Sequence, residues 1–403
     1  MARIKLFNFF EYEWLRKSEI EERSTTWDLK GDTLLDIIDK NTGNDVTKKT
    51  SLKFSAVMAA VSLNANFLAA SPIVIYDNLK GGGREANYKD PLYKILAYQP
   101  NAYMNAFTFW ELMSTHLDLW GNSFAFISRY GGKVNALTPV FPEHVTIITE
   151  GGRLIYRVEG TGDKVLDKDH SPDKFLHFKD ISFDGIIGIS RIDYAKRAIS
   201  LGVSAEKFSK EFFDKGGHAK GVIEVPGTLG DEAYGIFKKR WDANANHGTP
   251  ILDNGKTYKQ LNMPIEDAMF ISARQFQVQD IARIFGLPPH AIGDLSRATF
   301  TNIEHQSIDM VRNHTRPRVK RFEHEMENKL MGDSLGQKSI RFNLEGILRG
   351  DTATRGEYLS KMVQSKIMNR NEARAVENLN PVEGGDVFEN PATSTNNKIK
   401  ENE

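Results

Sequence analysis

Residues 265 to 331 constrain the fold of this chain more than any other stretch, because a helix, a proline-rooted loop and a second helix with an internal proline follow one another there. Gly286 and the pair Pro288-Pro289 end the first helix, since the residue before a proline is pushed out of the α region and a proline has no amide hydrogen to donate. The loop over 286–300 is therefore predicted to be stiff at its root.

Both flanking helices can be read from spacing. Four apolar side chains of the first helix fall on one face, at intervals of seven, three and four residues: Ile271, Val278, Ile281 and Phe285. The second helix is predicted to begin at a capping box in which Thr301 and Glu304 satisfy two free amides reciprocally. Pro317 removes one backbone hydrogen bond inside it, so a kinked helix of about thirty residues is expected.

Composition excludes several classes of protein. The 53 basic and 53 acidic residues cancel, so the chain lacks the basic excess with which tight nucleic-acid binders displace counterions from phosphates. It contains no cysteine, which excludes disulfides, thiolate nucleophiles and cysteine-based zinc or iron–sulfur sites. A length of 403 residues suits roughly two or three domains.

Neither a secretion signal nor a membrane span is expected from the sequence. Glu11 and Glu13 interrupt the apolar patch near the N-terminus, and no small-residue cleavage site follows it. The most apolar window, 54–76, contains two asparagines and a proline, which makes it too polar to span a bilayer. It divides better into an amphipathic helix over 55–70 and a strand over 73–76.

Four segments precede residues 265–331, and the first three are an arm, an α+β domain and a long helix. Residues 1–51 carry few apolar anchors and are expected to form a loosely held arm. Residues 52–188 have the pattern of an α+β domain. Its short strands are predicted at 123–129, 145–149, 154–158 and 175–178. A long helix is predicted over 189–215, ending at a glycine pair. Its apolar stripe comprises Tyr194, Ala198, Leu201, Ala205, Phe208 and Phe212.

A compact insert over 216–264 separates the two long helices, which should run antiparallel if the ends of the insert lie close together. Its predicted elements are a strand over 221–225, a helix over 231–244, and strands over 249–252 and 257–261 joined by a hairpin turn at Asp253, Asn254, Gly255 and Lys256. Beyond the kinked helix, a strand over 339–344 and helices over 351–365 and 369–377 are predicted. The tail from Pro381 is polar and is expected to be disordered.

No group of residues makes a convincing catalytic or metal site. His305, His314 and His324 are spaced too widely on one helix for a two-histidine metal motif. A second group, Asp169, His170, Asp173 and His177, straddles a turn and is better read as structural. The glycine patterns of nucleotide-binding loops and the serine elbow of hydrolases are missing from the sequence. No cofactor is therefore expected.

Two kinds of surface remain as candidates for function. Basic residues cluster at Lys238, Lys239 and Arg240 and at Arg312, Arg316, Arg318, Lys320 and Arg321. These clusters are either solvated helix faces or contacts for an acidic partner or a phosphate backbone. The loop carries His290, Asp294, Leu295, Ser296 and Arg297, and a loop that joins two long helices is more often functional than a mere connector.

The order of several short motifs resembles the portal proteins of tailed bacteriophages, over roughly residues 52–345. These motifs are Trp120-Gly121-Asn122-Ser123-Phe124-Ala125, Ala136-Leu137-Thr138-Pro139, Pro142-Glu143-His144-Val145, Asp184-Gly185-Ile186-Ile187-Gly188-Ile189-Ser190, Ile281 to Pro289, and Ala298-Thr299-Phe300-Thr301-Asn302. Each motif alone is weak, and the order in which they occur is what makes the resemblance specific.

The resemblance implies an α+β portal-type fold and a ring, generally of twelve subunits, at one capsid vertex with a central channel for double-stranded DNA. It further implies a wing (52–188 and 301–345), two stem helices (189–215 and 265–285), a clip (216–264), a tunnel loop (286–300) and a crown (346–380). By the same resemblance the tunnel-loop side chains would line the channel. The clip, with Lys238, Lys239, Arg240, Asp253, Asn254 and Lys256, would face the large terminase subunit.

The other implied partners are a head–tail adaptor and the major capsid protein or a scaffold, without a membrane or an enzymatic activity. The protein would reside in the virion, and in the host cytoplasm during assembly. A neutral chain suits DNA transit rather than capture, because even six to ten phosphate contacts give strong, salt-sensitive binding. Two alternatives stay open: a capsid-associated scaffold or adaptor that never touches DNA, and a metal-dependent nuclease or hydrolase.

Overall fold

The computed structural model describes residues 25–28, 46–214, 221–228, 230–244, 255–260, 267–294, 308–344, 352–377 and 379–388. The helices of these parts, in chain order, are α1 (Lys48–Ser51), α2 (Ser55–Ala70), α3 (Pro91–Ala97), α4 (Ala106–Trp120), α5 (Arg191–Asp214), α6 (Asp231–Asn244), α7 (Asp267–Phe285), α8 (Arg316–Leu330), α9 (Thr352–Gln364) and α10 (Arg370–Val376). None of the helices in the described ranges is long and apolar enough to cross a membrane.

The strands confirm the α+β prediction. They are β1 (Thr25–Asp28), β2 (Ile73–Asn78), β3 (Arg84–Ala86), β4 (Asn122–Tyr130), β5 (Lys133–Val140), β6 (Val145–Glu150), β7 (Arg153–Val158), β8 (Asp169–His170), β9 (Phe175–Lys179), β10 (Gly221–Glu224), β11 (Thr257–Gln260) and β12 (Lys338–Phe342). They form antiparallel sheets in the orders β1-β6-β7-β8, β5-β4-β9, β12-β2-β3 and β10-β11.

The body of the molecule is built around Trp110 of α4, whose indole ring is 2% exposed. Its ring makes edge-to-face contacts with four aromatic rings that come from α4, β9, α8 and β12: Phe109, Phe178, Phe322 and Phe342. The indole N–H donates a 3.0 Å hydrogen bond to the Leu96 carbonyl, so this large side chain is buried without an unsatisfied polar atom. Helix α8, which follows the loop in sequence, is thereby packed into the core of the first α+β segment.

Helices α5 and α7 lie against each other with opposite directions. The guanidinium of Arg191, in the first turn of α5, donates to the carbonyl of Ile284 near the end of α7 at 3.3 Å. Farther along the pair, Ile199 and Ile281 belong to the same buried cluster. These contacts are consistent with the predicted antiparallel pair, and the bounds of both helices match the prediction to within two residues.

Pro317 is accommodated by a change of helix type rather than by a simple break. Residues Val311–Thr315 form a π-helical segment immediately before α8, and the Arg316 N–H bonds to the Val311 carbonyl five residues back. A π-helical turn is wider than an α-helical one, which suits a position where a proline has no N–H to donate and its ring crowds the preceding turn. The predicted capping box at Thr301 and Glu304 lies outside the described residues.

The expectation of a loosely held arm over 1–51 is wrong for the parts of it that the structure describes. Strand β1 pairs with β6 at the edge of a sheet. Val46 and Ser51 are buried, and the Lys48 ammonium lies 2.9 Å from the Asp193 carboxylate of α5. The sequence gives little sign of this, because a short edge strand and a single helical turn have no measurable periodicity.

The expectation of a disordered tail is wrong for residues 381–388. Asn371 of α10 accepts the Val382 N–H at 2.8 Å through its side-chain oxygen. Its amide nitrogen donates to the Val382 carbonyl at 3.0 Å and to Asp386 at 2.9 Å. The polar composition of this stretch therefore reflects turns that one asparagine fixes, and composition alone cannot distinguish that case from disorder.

The insert keeps its predicted helix α6 and two of its predicted strands. Strand β11 pairs with β10, which comes before α6 in the chain. Gly255 adopts φ +71°, as a turn glycine would. The predicted strand 249–252 and the turn residues 253–254 lie outside the described residues, so the hairpin stays a prediction.

Candidate functional site

Two glycines that are 67 residues apart in sequence, Gly121 and Gly188, meet at one point of the structure. Gly121 ends α4 in the left-handed conformation with φ +69°, and a Cβ there would overlap the backbone of Ile189. A Cβ on Gly188 would overlap the Gly121 carbonyl. Only glycine permits this close approach of two backbones. The contact fixes where the chain enters α5.

Asn122 holds this crossing together and is fully buried. Its amide nitrogen donates to the carbonyls of Gly188 at 2.7 Å and Trp120 at 3.0 Å. Its oxygen accepts the Gly188 N–H at 2.8 Å and pairs with Nε2 of His177 at 3.0 Å. All four hydrogen-bonding positions of the carboxamide are thus used. We call Gly121, Asn122 and Gly188 the clasp.

Ser190 attaches the start of α5 to the end of α4. Its hydroxyl donates to the Leu119 carbonyl at 2.6 Å and accepts the Asp193 N–H at 3.1 Å, which makes it the N-cap of α5. Next to it, Asp180 pairs with Arg191 at 2.5 Å and with Arg321 of α8. Burial opposes ionisation of Asp180, but the bond from Arg191 and the surrounding arginine charges outweigh it and lower the pKa of Asp180 to about 2.

A second buried ion pair links α4 to α8. The Arg318 guanidinium lies 2.7 Å from the Asp118 carboxylate, with both side chains at most 5% exposed. Arg318 also bonds to the carbonyl and hydroxyl of Ser114. Burial raises the pKa of Asp118 even though Arg318 acts in the opposite direction.

The same polar network reaches the root of the predicted loop. Asn64 of α2 donates to Asp118 at 3.2 Å and pairs with Nε2 of His314 at 2.9 Å. His314 belongs to the π-helical segment, and a Cβ on Gly286 would come within 2.9 Å of its ring. Gly286 has φ +70°. Burial, together with nearby arginine charges, lowers the pKa of His314 to about 4, so the ring is neutral at pH 7.

The first half of the predicted loop does not project from the body. Leu287 is 4% exposed, and a short 3₁₀ helix over Pro289–Ile292 packs on the cluster formed by α2, α5 and α7. Asp294 accepts from the Gln279 amide of α7 at 3.0 Å. His290 lies in the 3₁₀ helix and is half-buried. The first long helix thus ends at Phe285, next to Gly286, and the loop packs against the body as far as residue 294.

The other candidate residues are only partly described. Leu295, Ser296 and Arg297 lie outside the described residues, as do Asp253 and Asn254. Lys238 and Lys239 are exposed on α6, and the Arg240 side chain lies outside the described part of the structure. The Lys256 ammonium lies 5.2 Å from the centre of the Phe237 ring, a cation–π contact that ties the turn before β11 to α6.

Helix α5 carries apolar residues on two faces. Ile192, Ala195 and Ile199 are at most 2% exposed and pack within the chain. Two members of the stripe predicted from spacing lie on the other side, where Tyr194 is 74% and Leu201 63% exposed, whereas the side chains of Phe208 and Phe212 lie outside the described part. Large apolar side chains that are aligned and exposed on one helix are typical of a surface that another protein covers.

A sequence model of the family described as "Phage portal protein" matches residues 55–378, which is most of the chain. The chain belongs to this family. It is 28% identical to the portal protein of Enterobacteria phage HK97, over 85% of this chain and 83% of that protein. It is 31% identical to the probable portal protein of Streptomyces phage phiC31, over 85% of this chain and 78% of that one.

Solved structures show the same portal fold. An HK97-family phage portal protein from Corynebacterium diphtheriae matches with a TM-score of 0.57 at 16% identity, covering 76% of this chain and 97% of that one. A chain in the neck of a native gene transfer agent particle, computed with C12 symmetry, matches with a TM-score of 0.56 at 20% identity. The match covers 86% of this chain and 99% of that one. The portal-type fold expected from the resemblance is thus confirmed as a fold.

Two buried histidines of this portal protein have structural partners. His177 is buried between the Tyr156 hydroxyl, at 2.9 Å, and Asn122, and burial lowers its pKa well below the usual value. His170 bonds to the Leu166 carbonyl at 2.9 Å. No cluster of three metal-ligating side chains occurs within the parts of the chain that the structure describes.

Sequence reasoning noticed both glycine motifs of this portal protein but not that they touch. It treated Asp184 to Ser190 and Trp120 to Ala125 as separate signals. An asparagine after a helix-ending glycine was the one hint, since such a side chain is placed to bond to a second backbone segment. The buried charges Asp118 and Asp180 had no signal at all, because charged residues are read as exposed by default.

Proposed function

We propose that this portal protein assembles into a closed ring of twelve copies at one capsid vertex, where its channel passes double-stranded DNA during packaging and ejection. The observation that carries the proposal is the exposed apolar stripe of α5, with Tyr194 and Leu201 uncovered in a single chain. A ring needs a heterologous interface that closes by rotation, and a long helix with one face packed inside and another left apolar provides one. The C12 neck of a gene transfer agent with the same fold supports the number twelve.

Under this proposal the antiparallel pair α5 and α7 forms the stem, and the clasp and the ion pair between Asp180 and Arg191 fix the stem to the wing. The tunnel loop starts from a docked root at Gly286 to Asp294 and presents Leu295, Ser296 and Arg297 to the channel. The clip, with Lys238, Lys239 and Arg240 of α6, faces the large terminase subunit. The head–tail adaptor and the capsid protein or scaffold are the other proposed partners.

Membership of a structural family supports a conduit rather than an enzyme. The equal numbers of basic and acidic residues fit that role, because a DNA strand must slide without being held. Hydrolysis that drives packaging would then belong to a separate protein. We place the assembled protein in the virion, after assembly in the host cytoplasm.

Ring assembly tests the proposal through a single substitution on the exposed stripe. Leu201→Lys places a charge in the subunit interface, so native mass spectrometry should show loss of the twelve-membered species. Tyr130→Lys is the matched control, because Tyr130 is 85% exposed at the end of β4. A variant Leu201→Lys that assembles as well as the control would contradict the interface, and a wild-type chain that stays monomeric would contradict the ring.

The DNA channel needs its own test. A photo-crosslinker at position 297 should label packaged DNA, and replacement of residues 295–297 by glycines should spare the ring while impairing packaging or DNA retention. A ring that forms without any crosslink to DNA would favour the scaffold or adaptor role instead. Normal packaging and retention by the glycine variant would show that the loop is only a connector.

A further inference from the structure

A basic cleft of about 460 Å³ lies beside the π-helical segment, on the side of α8 that faces β12 and β2. Its walls come from β2, β3, the π segment, α8 and the chain after β12. The lining residues are Tyr76, Arg84, Ile308, Val311, Arg312, Arg316, Val319, Lys320, Glu323, Arg341, Phe342, Asn343 and Leu344. No step of the proposed conduit function uses this cleft.

Positive charge in the cleft exceeds the negative charge available to it. Lys320 and Arg341 share Glu323, at 2.5 and 3.7 Å, and Arg341 also pairs with Glu327. Arg84, Arg312 and Arg316 have no ion-pair partner among the described residues, although Arg84 stacks 4.5 Å from the centre of the Tyr76 ring. The cleft therefore has about three guanidinium groups free to bind carboxylates.

The floor of the cleft is apolar. Val319 is 2% and Phe342 5% exposed, and they form the inner wall together with the half-buried Leu344. A phosphate backbone would pair with the arginines but would bury no apolar surface against this floor. A peptide that alternates large apolar side chains with carboxylates would use both, since arginine binds carboxylates with paired donors and aromatic rings through their faces.

One segment of this chain has that composition. From Phe7 to Leu15 the sequence reads Phe-Asn-Phe-Phe-Glu-Tyr-Glu-Trp-Leu, with five aromatic residues, two glutamates and no base. So many large apolar side chains within nine residues are expected to be buried against another surface, because soluble proteins rarely leave a contiguous apolar patch exposed. Glu11 and Glu13 are two residues apart, which puts both on one side of an extended segment.

We propose that residues 7–15 bind in the basic cleft of their own chain, with Glu11 and Glu13 paired to the free arginines and the aromatic side chains on the apolar floor. Strand β1 fixes the chain at Thr25, and the ten residues from Leu15 to Thr25 span up to about 36 Å when extended. Because segment and cleft belong to one chain, the contact is intramolecular, and it requires that this tether reach from β1 to the cleft. The proposal concerns a single chain and does not depend on the ring.

Disulfide trapping tests the proposal without background, because the chain has no cysteine. The full chain carrying Tyr12→Cys and Lys320→Cys should form an intrachain disulfide under mild oxidation, seen as a faster monomer band on a non-reducing gel and as one linked peptide pair by mass spectrometry. The matched control is Tyr12→Cys with Lys133→Cys, since Lys133 is exposed at the start of β5 in another sheet. Equal trapping of both pairs would overturn the proposal, and a ladder of covalent multimers would overturn binding within one chain.

Charge reversal then tests the recognition itself. In the trapping pair, Arg312→Glu with Arg316→Glu should slow disulfide formation about tenfold, as the loss of two ion pairs at exposed arginines implies. Adding Glu11→Arg with Glu13→Arg should restore most of the rate. Unchanged trapping in the first variant, or no recovery in the second, would overturn the proposal. If the reversed variant fails to fold by circular dichroism, Arg312→Gln with Arg316→Gln should still slow trapping severalfold.

Discussion

Truncation of Asn122 should open the clasp and expose the root of α5 to solvent. In Asn122→Ala two buried donors, the Gly188 N–H and the His177 ring N–H, lose the oxygen they share, and two carbonyls lose an amide donor. An unsatisfied buried polar group costs about 1–3 kcal/mol, so the two donors alone imply a loss of roughly 2–6 kcal/mol. A water could replace one of these contacts, which places the expectation near the lower end of that range.

Hydrogen exchange measures this effect where it occurs, which matters because a chain with several parts need not unfold in one step. The Gly188 amide should exchange roughly 100-fold faster in Asn122→Ala, since about 1.4 kcal/mol corresponds to each tenfold change. Peptides from β2 and β12 should exchange at the wild-type rate. The matched control is Asn78→Ala, because Asn78 is exposed and donates one 3.0 Å bond to the Gly336 carbonyl. Exchange at Gly188 that is no faster in Asn122→Ala than in this control would refute the role of the clasp.

Three further predictions concern the buried polar network. Arg318→Met leaves the Asp118 carboxylate buried without its partner and should lower the free energy of unfolding by about 3–5 kcal/mol in urea titrations, unless Asp118→Leu is added. Gly286→Ala meets both φ +70° and the His314 ring, and should lower the melting temperature of the chain by several degrees while Gly293→Ala, at φ +96° in open space, costs less. Burial lowers the pKa values of His116 and His314 to about 4, below their unfolded value of about 6.5, so their contribution to stability is full above pH 6.5 and is lost as the pH falls towards 4. His314→Gln should weaken the dependence of the free energy of unfolding on pH between about pH 4 and 6.5. An unchanged pH dependence would contradict the lowered pKa of His314.

Most helices and strands could be predicted from the sequence because each shows one dominant periodicity over enough residues. Helix α2 matches its prediction at both ends, and α6 does as well. The loop root was predictable for a different reason, since the backbone of Gly286, Pro288 and Pro289 has few allowed conformations whatever surrounds it. These are local properties, and local sequence is sufficient to specify them.

Long-range contacts could not be predicted in the same way. The clasp joins residues that are 66 positions apart, and the Asp118–Arg318 pair joins residues that are 200 positions apart. In both cases the side chain is polar, so patterning places it on the surface, while its actual place is decided by a partner that only the fold supplies. The edge strand β1 is a similar case, because its neighbour β6 provides the stability that its own four residues lack.

Helix α5 shows how far periodicity alone can be taken. Ile192 and Tyr194 differ by two positions, about 200° around a helix axis, so the buried stripe and the exposed stripe lie on opposite sides. Both have helical spacing, and spacing does not say which stripe meets the body. The buried stripe continues to Gly202, which packs so closely on the Phe54 ring that a Cβ there would overlap it. This close contact identifies the side of α5 that faces the body. Substitutions on the inner face should therefore change the folding of one chain, whereas those at Leu201 should change only how chains assemble.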